Sequence, residues 1–147
     1  MIYQCQYFRI EELVPEYVFG IHKHEQHKLW LLFDQRVLIT LDRLRRRYGP
    51  LIANDWLWGG KNQYRGWRPW SLSIGAAFSQ HKFGRGNDSM PTQVTADEIR
   101  QDIRVNSAQS TSPYGTFWEF IRCIEIDIPW LHFDTRNWLG DILEVRP

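Results

Sequence analysis

The chain is short of cysteine, of long hydrophobic runs and of net charge, and each shortage excludes a class of protein. Cys5 and Cys123 are the only 2 cysteines in 147 residues. That is too few for a disulfide framework; they read as reduced, buried thiols or at most as one bridge, and nothing in the sequence marks either as a nucleophile. No apolar stretch approaches the roughly 18 residues that cross a bilayer, so no membrane partner is expected. No N-terminal positive–apolar–small pattern marks a signal peptide, and the expectation is a protein that stays in the cytoplasm unless something else carries it out. The net charge of +1 argues against a nucleic-acid backbone or any other partner chosen by bulk charge. With no internal repeat and no low-complexity linker, one domain over residues 1–147 is expected. A chain of this size buries roughly 68–70% of the surface it exposes when unfolded, enough for a core.

Aromatic residues are plentiful, at 15% with 8 tryptophans. Most belong to a core. Trp56, Trp58, Trp67 and Trp70 lie in a Gly- and Arg-rich segment, where they could instead wall a ligand cleft.

Periodicity outlines the elements. Residues 2–8 alternate weakly and predict an edge strand; residues 9–18 predict a short helical turn broken at Pro15. Residues 20–28 form a polar segment with His22, His24 and His27, read as exposed loop histidines or, at looser odds, a second metal site. The strongest helix follows: Asp34 caps it, Val37, Leu38, Leu41, Leu44 and Tyr48 make one apolar stripe, and Gly49-Pro50 ends it. Arg43, Arg45, Arg46 and Arg47 crowd its last turns. There they fit the negative end of the helix dipole better than a nucleic-acid patch. Residues 51–56 predict a short buried strand, followed by a long polar–aromatic loop to Trp70. Thr95-Ala96-Asp97-Glu98 is a capping box opening a second helix with Ile99 and Ile103 on one side. Residues 106–115 are loop-like, residues 117–128 and 130–135 predict two strands turning near Pro129, and residues 138–145 a last apolar segment. The fold class is α+β, with two or three helices beside a small, mainly antiparallel sheet.

Two stretches carry chemistry. In Ser79-Gln80-His81-Lys82-Phe83-Gly84-Arg85-Gly86-Asn87-Asp88, two glycines let the chain turn so that His81 and Asp88 converge. In Trp130-Leu131-His132-Phe133-Asp134, strand alternation puts His132 and Asp134 on one face. Two imidazoles and one carboxylate are the ligand set of a catalytic zinc, with the fourth position left to water, although other first-row metals accept the same donors. The competing reading is a core histidine satisfied by Asp134. Gly86 and Asn87 are weak strand formers and predict a loosened strand at Asp88.

Ser79-x-His81-x-x-Gly84-x-Gly86-x-Asp88 resembles the S-x-H-x-x-G-x-A-x-D signature of the zinc D-alanyl-D-alanine peptidases. That superfamily also holds the amino-terminal hedgehog signalling domain and bacteriophage L-alanyl-D-glutamate endolysins. Trp130-Leu131-His132-Phe133-Asp134-Thr135-Arg136-Asn137 is similar to its second histidine motif. A phage-type subgroup is further matched by Glu11-Glu12-Leu13-Val14, Leu32-Phe33-Asp34-x-Arg36, Leu41-x-x-Leu44-Arg45, Asn54-x-Trp56-x-x-Gly59-Gly60 and Arg65-Gly66-x-Arg68, in that order. The resemblance implies a hedgehog/DD-peptidase-like fold with zinc on His81, Asp88 and His132. It implies a carboxylate base shortly before the last ligand, for which Glu125 and Asp127 are the candidates; the offset common in the dipeptidase members falls on Pro129. Arg65 or Arg68 would grip a substrate carboxylate, while Ser79 and Asp134 would support the ligands.

Two functions follow as expectations. The first is a zinc metallopeptidase cutting peptidoglycan stem peptides, of the endolysin or DD-carboxypeptidase type, acting on the cell wall from the host cytoplasm or from a virion. The second is a catalytically inactive phage structural or binding protein that keeps the fold.

Overall fold

A computed structural model describes residues 1–107 and 118–147. The predicted loop at 106–115 therefore lies largely outside the described residues. Among those described are three α-helices, α1 (Glu16–His22), α2 (Gln35–Tyr48) and α3 (Ala96–Val105), and five strands, β1 (Leu51–Ile52), β2 (Gly86–Pro91), β3 (Cys123–Glu125), β4 (Leu131–Asp134) and β5 (Leu143–Val145). The strands form one sheet in the order β1-β2-β4-β3-β5. Every pairing is antiparallel except β3 with β5. The α+β class and the mainly antiparallel sheet are as the sequence predicts.

Local chemistry explains the two strongest helices. The Asp34 side chain accepts a hydrogen bond from the Arg36 backbone N–H, and Gly49, at φ 79°, closes α2 in a conformation that β-carbons disfavour. Its apolar stripe, Val37, Leu38, Leu41 and Leu44, is fully buried. On α3 the capping box forms in both directions between Thr95 and Glu98, and Ile99 and Ile103 face the core.

The N-terminal segment corrects the sequence reading. Residues 2–8 form no strand. Their donors go to one side chain of α2 instead: Asp42 accepts from the Tyr3 hydroxyl at 2.7 Å and from the backbone N–H groups of Gln6 and Tyr7 at 2.8 and 3.0 Å. A second correction concerns the polar histidine segment. It is helical, running from α1 directly into a 3₁₀ stretch, Lys23–Leu32, kinked at Glu25; Leu29 and Trp30 anchor it in the core. The predicted strand at 51–56 is shorter than expected and gives way to a 3₁₀ turn, Trp56–Trp58.

The sheet has two unlike faces. Leu131 and Phe133 of β4 and Ile124 of β3 enter the hydrophobic core. Their alternates along the same strands point the other way. That opposite face carries Asp88, His132 and Asp134, brought level by the pairs Gly86↔Asp134 and Asp88↔His132. It also carries Glu125, because Cys123↔Asp134 and Ile124↔Phe133 set β3 alongside β4. The ladder through Gly86, Asn87, Asp88 and Ser89 is regular, so the predicted loosening at Asp88 is not found. Buried Arg100 of α3 pins the β3–β4 turn, donating to the backbone carbonyls of Glu125 (2.7 Å), Ile128 (3.0 Å) and Trp130.

Candidate metal centre

His81 stands in a 3₁₀ turn, Gln80–Phe83, that packs on β2. Gly84 ends the turn at φ 67°, and a β-carbon there would lie 2.0 Å from the Leu32 carbonyl oxygen. Only glycine permits this approach. The same holds at Gly66, where a β-carbon would meet the Leu13 carbonyl oxygen at 2.1 Å. Gly86 is different. A methyl there would sit 3.3 Å from the His81 nitrogen, so the alanine of the resembled signature fits with a small adjustment.

The three predicted ligands converge. One ligand atom each from His81, Asp88 and His132 lie within 4.8 Å of one another. Both rings are buried, at 3% and 5% exposure. The hydrogen bonds identify which ring atoms face the centre. His81 Nδ1 lies 2.8 Å from the Gly66 carbonyl oxygen, which can only accept, so Nδ1 carries the proton. Burial, the largest influence, holds this ring below the usual imidazole range, so it is neutral and Nε2 presents a lone pair. That lone pair faces Asp88 Oδ2 at 3.3 Å. Arg68 already donates to that oxygen, so the acceptor left without a donor is His81 Nε2, a lone pair that a cation can take.

His132 is held from both sides. Its Nδ1 lies 2.7 Å from Asp88 Oδ1 and its Nε2 3.3 Å from Asp134 Oδ2. Burial alone would lower its pKa; Asp134 and Asp88 together outweigh that and push it up to about 9. Asp88 shows the converse. Burial raises it, but the hydrogen bond from His132 and the charge around it outweigh that, leaving it well below the usual carboxylate range. Arg68 Nη2 donates to Asp88 Oδ2 at 3.0 Å. His132 would hold an ion through Nδ1 once that nitrogen is deprotonated, with its Nε2–H kept on Asp134, the arrangement by which a carboxylate orients a ligating histidine. The donor set thus fits a divalent metal, and His81, Asp88 and His132 form a group that can hold one.

The group lies in a pocket of about 540 Å³, within the usual size of small-molecule sites. Arg68, Ser79, Glu125, Trp130, Arg136 and Arg146 are among its walls. Of the other residues singled out in sequence, Glu125, Arg68, Ser79 and Asp134 line it. Asp127 does not: it sits in a turn at φ 62°, exposed, paired with Arg146 at 2.6 Å. Arg65 also stays outside. Its backbone carbonyl accepts the Asp88 N–H at 2.8 Å and its guanidinium reaches the Ala53 carbonyl at 3.3 Å. Trp56, Trp58, Trp67 and Trp70 are not among the lining residues; Trp130 and Phe78 are. His22, His24 and His27 are exposed and form no metal-holding group among the described residues. Cys5 and Cys123 are free thiols, and burial pushes Cys123 up to about 12, away from nucleophilic use.

Sequence reasoning assigned no role to Arg136, although the period-two run His132, Asp134, Arg136 announces a shared strand face. Arg146, on the chain leaving β5, had no local signal. No helix among the described residues is long and apolar enough to cross a membrane. No family model, no curated protein and no solved structure matches this chain.

Proposed function

We propose that this chain is a zinc-dependent peptidase that hydrolyses peptidoglycan stem peptides. The observation that carries the reading is the convergence of His81, Asp88 and His132, each turned by an outer hydrogen bond, at a pocket that Glu125 also lines. The motif resemblance to the zinc peptidases supplies the metal and the substrate class. Zinc bound by those residues supplies Lewis acidity and brings water's pKa near 7.

The chain's own residues do the rest. Glu125, one strand from His132 on the same face, takes the attacking water's proton on its carboxylate and returns it to the leaving amine. Asp127, turned out to solvent against Arg146, is the weaker candidate for that task. Arg68 gives the pocket positive charge beside Asp88, and exposed Arg146 adds to it at the rim. Both favour a substrate with a free carboxylate, as stem peptides have, over Arg65 outside the pocket. Trp130 and Phe78 offer apolar surface to the substrate. Cell-wall access from a host cytoplasm or as part of a phage virion belongs to the same proposal.

The test is digestion of purified peptidoglycan fragments by zinc-loaded protein, followed by mass spectrometry of the released peptides. Cleavage is expected, and His81→Ala is expected to lose zinc and cleavage together. Equal cleavage by that variant contradicts the proposal. A fully zinc-loaded protein without turnover favours the second reading, a phage particle component that retains the fold.

A further inference from the structure

Asp134 does not stand alone behind His132. It is fully buried, and a buried carboxylate is costly unless paired and hydrogen-bonded. Arg136 meets that need. Its Nε donates to Oδ1 at 2.8 Å, its Nη2 to Oδ2 at 2.5 Å and its backbone N–H to Oδ1 at 3.2 Å. A guanidinium fork on both oxygens fixes the rotation of the carboxylate as well as neutralising it. The oxygen held by Nη2 is the one facing His132 Nε2.

His132 has a carboxylate at each ring nitrogen. Which nitrogen keeps a proton and which meets an ion depends on how those two carboxylates are otherwise held. We propose that Arg136 is a positioning residue of the metal centre: by clamping Asp134 it keeps the Nε2–H of His132 engaged and turns Nδ1 toward Asp88 and the ion. The charge pattern agrees. Asp134 with Arg136 and Asp88 with Arg68 are each an acid beside a cation, so the arginines offset both carboxylates and leave the ion's charge facing the pocket.

The inference rests on the metal reading, and one experiment separates the two. Zinc affinity is measured by chelator competition on the full chain, with the melting temperature of the metal-free form beside it. The proteins are the unaltered chain, Arg136→Met, Arg136→Lys, Asp134→Asn and the Asp134→Asn/Arg136→Met double variant. Arg136→Met is expected to weaken zinc binding by about 10–100-fold, the usual cost of losing a group that orients a ligand. Arg136→Lys, which keeps charge but not the fork, should fall between. Because both residues act through one bond, the double variant should lose no more than the weaker-binding single variant. It also leaves no unpaired buried charge, so it carries the comparison if Arg136→Met folds poorly. Cobalt-loaded samples should show an altered visible spectrum in Arg136→Met, which a merely structural role would not produce. Unchanged zinc affinity in Arg136→Met, or losses that add in the double variant, overturn the inference alone. An unaltered chain that takes up neither zinc nor cobalt overturns the proposed function and this inference with it.

Discussion

Two places in this chain bury opposite charges side by side, and they use them differently. Beside the C-terminal turns of α2, Glu12 and Arg45 pair with side chains only 4% and 15% exposed. Glu12 also accepts from the Arg9 N–H at 2.7 Å, and Arg45 donates to the carbonyls of Tyr7 and of Leu51, the latter at 2.7 Å. Apart from Arg45 Nε, which has no partner, donors meet acceptors. The network closes on itself and ties the N-terminal segment to the end of α2 and the start of β1. At the candidate metal centre the carboxylates have donors in Arg68, Arg136 and His132, and the acceptor left over is a ring nitrogen of His81. Once the Gly66 carbonyl has claimed the Nδ1 proton of His81, Nε2 and Asp88 Oδ2 face each other without one. A closed set of buried charges holds segments together; a set that leaves an imidazole lone pair and a carboxylate oxygen facing each other at a pocket wall can hold a cation.

The comparison can be broken most sharply at His81. His81→Ala should abolish metal binding while the metal-free protein keeps its circular dichroism spectrum and a cooperative melt; retained binding would erase the distinction. Glu125→Gln should lower the cleavage rate by about 10²–10⁴-fold, the usual worth of a general base, with zinc content unchanged when assayed by elemental analysis. Glu12→Ala should do the reverse. Removing one member of a buried pair costs about 3–5 kcal/mol, visible in urea unfolding, and zinc affinity of the folded protein should stay as it was.

The mildest effect is on pH. In the metal-free protein His132 titrates at about 9, above its ordinary value. Its stabilising contribution is fully present below the unfolded-state pKa and is lost as pH rises through about 9. Metal binding runs the opposite way, because the ion must displace the Nδ1 proton; affinity should rise about tenfold per pH unit up to that value. Calorimetry in buffers of different ionisation enthalpy should show a proton released per ion bound at pH 7. A flat profile would place the ion elsewhere.

Much of this was legible in the sequence, for reasons that can be named. α2 and α3 declare themselves through caps at Asp34 and Thr95 and through apolar stripes that tertiary packing then uses unchanged. The metal group was legible because glycine spacing and strand alternation are local rules, and only the register between β2 and β4 had to be supplied by the fold. The N-terminal segment was not legible. Tyr3 and Cys5 pack inward at period two without being a strand, since the backbone donors beyond them are taken by Asp42, distant in sequence. The histidine segment hid its helical character because few of its residues touch the core. Asp127 and Arg65 are candidates through the family resemblance, and the turn at Asp127 and the Arg65 contact with Ala53 keep both off the pocket wall through geometry that no short motif encodes.

The central claim is that His81, Asp88 and His132 close on one divalent ion. Anomalous diffraction at the zinc edge, from crystals grown with one equivalent of zinc, tests it most directly. The account predicts a single peak about 2.0–2.2 Å from His81 Nε2, His132 Nδ1 and an Asp88 oxygen. A zinc peak among His22, His24 and His27, with none between the two buried imidazoles, would contradict it.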